Sequence, residues 1–148
     1  MTQLKMSVAD ILERELEPTI REWLRRVNLV PDLTNIPLSD ADRTGHLPKL
    51  CCEIISRLRL AEDVCPPPSV AATLHGQVRR AQGYSAPMLI QESRVFQVVT
   101  FRTLGLHCAE LDQNQVLLDV MIIADEVDAQ LVESVRCLTE TTLSQGAA

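Results

Sequence analysis

Aromatic side chains are scarce. The 148 residues hold only Trp23, Tyr84, Phe96 and Phe101, so the core has to be built from Leu, Val, Ile, Met and Ala. This disfavours stacked nucleic-acid bases and an aromatic-lined ligand pocket. Basic clusters are equally thin, since no run exceeds the Arg25-Arg26 or Arg79-Arg80 pair, and the net charge is −6. A nucleic-acid partner is therefore not expected. The five cysteines are an odd number, include the vicinal pair Cys51-Cys52 and show no C-x-x-C spacing. They read as reduced thiols with no metal site, in a cytoplasmic protein. No apolar run approaches the ~20 residues of a membrane span, and the N-terminus meets acidic residues within its first ten positions, which excludes a secretory signal there.

Proline is absent after Pro87, whereas seven of the eight prolines lie between Pro18 and Pro68. The second half should therefore contain the longer, uninterrupted elements. Alternating strand patterns and internal repeats are both missing. What is present is helical periodicity, and the expectation is a single all-α bundle of about five helices over 1–148.

The first helix is expected from an N-cap at Ser7 to about Val27, with a kink or break near Pro18. Asn28 to Leu38 reads as a loop. Ser39 caps a second helix with an inner stripe of Leu47, Leu50, Cys51, Ile54, Ile55 and Leu58, made irregular at its start by Gly45 and Pro48. The proline-rich stretch from Glu62 to Ser69 is a stiff turn. A third helix from Val70 to about Gln82 should bury Val70, Leu74, Val78 and Ala81, and Gly83 ends it. Ser85 caps a fourth helix, to about Cys108, whose apolar residues surround most of its circumference and place it mid-bundle. The last helix, about 112–143, lacks Gly and Pro and should outrun the bundle.

That last helix is apolar on nearly every side between Val116 and Ala124, and then keeps a narrow stripe. Leu117, Val120, Ala124, Val127, Leu131, Val135 and Leu138 either pack on the bundle or form the seam of a parallel homodimer leading toward an output domain.

The polar residues of interest lie around the link between the third and fourth helices. His75, Arg79 and Gln82 share one stripe at i, i+4 and i+7, and Tyr84 follows Gly83. Glu92 is flanked by Met88, Val95, Phe96 and Val99 at helical spacing, which directs its carboxylate inward. A buried carboxylate needs a partner. The short Gly83-Tyr84-Ser85 link makes the two helices antiparallel and brings residue 92 opposite about residue 77, so a His75/Arg79/Glu92 cluster is predicted. It reads either as a structural clasp or as the lining of a small-ligand pocket or protonation switch. Without a recognisable nucleophile, metal set or phosphate loop, an enzyme is not expected. Gly76 permits close helix approach. His46 should face solvent, Cys51 and Cys52 should pack in the core, and His107 suits the negative end of its helix, with haem ligation as a minor alternative.

These blocks together resemble the N-terminal sensory domain of RsbT co-antagonist proteins, also found at the front of bacterial sensor histidine kinases. The resemblance rests on the opening helix with Trp23, the Leu38-Ser39-Asp40-Ala41-Asp42-Arg43 start followed by His46-Leu47-Pro48, the His75-Gly76-x-x-Arg79-x-x-Gln82-Gly83-Tyr84 block, and Leu89 with Glu92. It implies a globin-related, haem-free, usually dimeric input module upstream of a kinase or STAS output, with no cofactor and no catalytic residues. A haem- or small-ligand-binding globin-like sensor is the alternative.

Overall fold

The computed structural model describes the chain from residue 3 to residue 146, with side chains described to residue 140. Helices α1 (Val8–Arg14), α2 (Leu16–Val27), α3 (Pro31–Thr34), α4 (Asp40–Thr44), α5 (Leu47–Leu58), α6 (Val70–Ala81), α7 (Ala86–Leu106) and α8 (Val116–Gly146) follow one another, with a 3-10 turn at Cys108–Glu110. The described residues form no strand; Met6 and Leu111 make an isolated bridge. The all-α class and the long C-terminal helix are as expected.

Local chemistry explains where the helices break. Ser7 caps α1 by accepting from the Asp10 amide at 3.1 Å. Pro18 has no N–H for the Arg14 carbonyl four residues back, and the helix breaks at Glu15, splitting the expected first helix into α1 and α2. Ser39 caps α4 through the Asp42 amide at 3.1 Å. Gly45, at φ +47°, ends α4 and separates it from α5. The stretch expected as a plain loop from Asn28 to Leu38 contains α3, which starts on Pro31 at its first position.

Helix α8 is the backbone of the packing: α6, α7 and α5 all lie against it, while α2 packs on α7 and α1 on α5. The core between them is aliphatic around Trp23, which is 1% exposed. Ile11, Leu33, Ile54, Val99 and Ile123 are buried with it.

Three expectations about helix faces are corrected. On α6 the apolar stripe faces outward: Val70 is 68% exposed, and Leu74, Val78 and Ala81 are exposed too. The buried face is Ala71, Ala72, His75, Gly76 and Arg79. Close approach to α8 decides this, because a Cβ at Gly76 would lie 2.9 Å from the Ser134 Cα and closer still to its carbonyl oxygen. Only small residues let the backbones meet, so the larger Val and Leu are turned away. Helix α7 is not enclosed: Ile90, Val98 and Leu106 lie on an exposed outer face. On α8, Val127 and Leu138 are buried within the chain, Val120, Ala124, Leu131 and Val135 are half-buried, and Leu117 is exposed. The lower stripe therefore belongs largely to the chain's own core. Leu117, Leu118 and Met121 near the start of α8, and Val132 further along it, are large apolar residues left exposed.

Candidate functional site

The turn after α6 builds the site. Gly83 adopts φ +89°, the Gly83 amide donates to the Arg80 carbonyl and the Tyr84 amide to the Arg79 carbonyl, both at 3.0 Å. This is the paired-bond helix ending that glycine favours. It folds Tyr84 back so that the Arg79 guanidinium lies over its ring, 4.7 Å from the centroid.

Arg79 is fully buried, and each of its three guanidinium nitrogens donates at least one hydrogen bond. Nε donates to Glu92 Oε2 at 3.2 Å, Nη1 to Gln82 Oε1 at 2.7 Å and to the Asp42 carbonyl at 3.0 Å, and Nη2 to the Arg43 carbonyl. Nη2 also lies 3.1 Å from Glu92 Oε1. Asp42 and Arg43 stand at the end of α4, where helix carbonyls lack intrahelical donors and carry partial negative charge. Arg79 thus closes α4 while pairing with α7.

Arg43 repeats the device one step away. It is 3% exposed and donates to the Leu33 and Ile36 carbonyls at the end of α3, at 3.1 and 2.6 Å, and to the Tyr84 hydroxyl at 2.8 Å. Sequence reasoning passed over Arg43 as a site residue. The signal was available: Arg43 lines up with Leu47, Leu50 and Ile54 at helical spacing, the same company that marked Glu92 as inward.

Glu92 is 3% exposed, and the structure joins it to both predicted partners. Its Oε2 lies 3.4 Å from His75 Nε2. The Trp23 indole donates to the Glu92 main-chain carbonyl at 3.2 Å, tying α2 to the same point. Glu92 Oε1 has no aligned hydrogen-bond donor. All five predicted cluster residues, His75, Arg79, Gln82, Tyr84 and Glu92, therefore meet at one place. Burial, with the Glu92 carboxylate nearby, pushes the Tyr84 hydroxyl upward and keeps it a neutral donor or acceptor.

His46 corrects the expectation of a solvent-facing ring. It is half-buried, with its ring 6.1 Å from that of His75 in an edge-on arrangement. Its Nδ1 is buried without a partner. Desolvation, then the neighbouring His75, Lys49 and Arg79, lowers its pKa. The turn at Gly45 swings this ring inward, and sequence spacing carries no signal of that.

Beside the cluster is a cavity of about 40 Å³. Its walls are apolar, from Trp23, Leu47, Leu89, Phe96 and Val127, and its polar edge is His75, Glu92, Gln130 and Ser134. Gln130 donates to the Leu50 carbonyl at 3.0 Å and Ser134 to the Ala72 carbonyl at 2.9 Å. A water needs roughly 10–15 Å³ of such space, so the cavity suits one or a few water-sized groups. Gln130 and Ser134 were not foreseen, because each is a single polar residue on an otherwise ordinary helix face.

The remaining candidates lie elsewhere. His107 caps the end of α7, with Nδ1 2.8 Å from Glu110 Oε2 and 3.1 Å from Arg14 Nη2, and does not line the cavity. All five cysteines are free; Cys51 is buried, which pushes its thiol up to about 12, while Cys52 is exposed rather than packed in the core. Among the described residues, no group of three or more His, Cys, Asp or Glu side chains could hold a metal ion, and no helix is long and apolar enough to cross a membrane. Comparison with known proteins brings no match: no family model, no curated relative and no solved structure is similar to this chain.

Proposed function

We propose that this chain is a non-catalytic signal-input domain of the RsbT co-antagonist type, working in the cytoplasm of a bacterium through a homodimer and its C-terminal helix. Its output is a downstream kinase or STAS-type domain or protein. The observation that carries this reading is the placement of the cavity. One side is the His75/Arg79/Glu92 cluster, and the other is α8, through Val127, Gln130, Leu131 and Ser134. Any change in the protonation, hydration or occupancy of the cluster is felt directly by the helix that would lead to the output.

The cluster also joins α3, α4, α6 and α7 through two buried arginines. Such a network has few intermediate arrangements, because any opened member leaves a buried charge or carbonyl unpaired. This favours two-state behaviour, as a switch requires. The small, polar-edged cavity favours, as a second reading, a sensor that binds a ligand of only a few atoms.

The test is amide hydrogen exchange on wild type and His75→Ala. Glu92 keeps Arg79 in this variant, so the fold should persist. The expected result is faster exchange in α8 between residues 127 and 138, with α1 unchanged. Exchange altered only within α6 and α7 would make the cluster a structural clasp.

A further inference from the structure

Charge is distributed unevenly along this acidic chain. From Val64 to Ala109 the sequence holds a single acidic residue, Glu92, against four arginines. Glu92 is buried and paired with Arg79, so it contributes nothing to the surface. The outer face of α7 consequently presents Arg94 and Arg102 among the exposed apolar residues Ile90, Val98 and Leu106, with no carboxylate of its own.

Where this face meets α2 there is a groove of about 270 Å³, lined by Arg26, Val30, Gln91, Arg94, Val95 and Val98. Three of these residues are incompletely satisfied. The Arg94 side chain makes no hydrogen bond or ion pair among the described residues. Gln91 donates to Asp32 at 3.3 Å, but its Oε1 is buried with no donor. Arg26 uses only Nε, on Glu22 at 2.9 Å. Glu22 is already taken by both Nε and Nη2 of Arg25, at 2.9 and 2.8 Å. The charged side chains that line the groove are both cationic, Arg26 and Arg94, and the carboxylates bound to its lining are Glu22 on Arg26 and Asp32 on Gln91.

We propose that this groove is a binding site for a small amphiphilic carboxylate, its head between Arg26 and Arg94 and its apolar body along Val30, Val95 and Val98. A guanidinium fork matches a carboxylate in plane and charge. The groove is at the small end of ligand sites, so the body is short. A hydroxyl or amide on the ligand would supply the donor that Gln91 Oε1 lacks. The groove lies outside the cavity beside Glu92, so this inference does not depend on the signalling reading.

The probe is hexanoate, titrated into the full chain and followed by backbone amide shifts, with hexanol and inorganic phosphate as separate arms. Saturable shifts at residues 26, 30 and 91–98 are expected, with hexanol and phosphate each about tenfold weaker. Arg94→Gln, an exposed change that leaves the melting temperature unaltered, should weaken hexanoate by about tenfold. Absence of saturation below about 10 mM would overturn the site. Equal binding of hexanol would overturn the charged half, and equal binding of phosphate the apolar half. Full affinity in Arg94→Gln would overturn the assignment of the head group.

Discussion

Glu92 is the residue on which the buried charges converge. Removing its carboxylate by Glu92→Ala leaves Arg79 buried with its charge uncompensated, and breaking such a pair costs about 3 kcal/mol. Glu92→Gln should cost less, because a neutral oxygen still accepts from Nε and the four other acceptor and ring contacts of Arg79 are untouched. Urea unfolding checks the order Ala below Gln below wild type; equal stability of Ala and wild type would mean that Glu92 is not held inside. His46 supplies a pH signature. Its folded pKa lies below the ordinary histidine value of 6.5, so the folded state prefers the neutral ring. The unfolded chain then binds more protons, and stability rises with pH across this window. The contribution is complete above 6.5 and is lost as pH falls through the lower folded value. The carboxylates of Glu22, Glu110 and Glu133 are held near 2 by their arginine partners and titrate well below that window. Melting curves between about pH 7 and pH 5 should therefore show wild type losing more stability than His46→Asn. Parallel losses in the two proteins would place the pH response elsewhere.

At the scale of elements, the contact between α6 and α8 is set by one missing side chain. Gly76→Val would drive its Cβ into the Ser134 backbone, which cannot move aside as a flexible side chain would. A loss of about 3 kcal/mol is expected from such overpacking. Gly105 on α7 is the matched opposite: a Cβ there meets nothing within 4 Å and its φ is ordinary, so Gly105→Ala should stabilise by roughly 0.5 kcal/mol. Thermal melts of the pair should move in opposite directions; a tolerated Gly76→Val would mean that α6 and α8 are not packed this closely. The same contact explains what the sequence made legible and what it did not. Caps at Ser7 and Ser39, the breaks near Pro18 and Gly45 and the ending at Gly83 are local events, and each residue carries its own signal. The His75/Arg79/Glu92 meeting was readable because a short link, four residues in the structure, leaves two helices little freedom. The buried face of α6 was not, because hydrophobic periodicity assumes that the largest apolar residues face inward, whereas here backbone proximity selects Ala72 and Gly76. His46 turns inward because of Gly45, a reason visible only when the helices are placed, whereas the inward side of Arg43 was readable from its spacing and only its partners at the end of α3 were not.

At the scale of the whole molecule, the uncovered apolar surface must be reconciled with the proposed homodimer. The stripe expected either to pack on the bundle or to form a dimer seam is partly consumed within the chain, since Val127 is 2% exposed and Leu138 is 7% exposed. A helix cannot present the same side chains to two cores. What remains exposed on α8 is Val132, at 67%, and the denser group at the N-terminal end, where Leu117 is 69% exposed, Leu118 50% and Met121 61%. Leu117, Leu118 and Met121 lie within about one turn of one another on a helix roughly 46 Å long, so a partner helix crossing there would bury them together. The dimer contact is accordingly expected at this end, and Val127 should behave as a core residue instead. Leu117→Glu with Met121→Glu should abolish dimerisation at tens of micromolar while leaving the circular dichroism melt nearly intact, because neither side chain contributes to the core. Val127→Glu should do the reverse, lowering the melting temperature by putting a charge into a buried site. Sedimentation velocity separates the outcomes: a wild-type monomer would remove the homodimer from the proposed function, and a dimer that survives both glutamates would move its interface to another face.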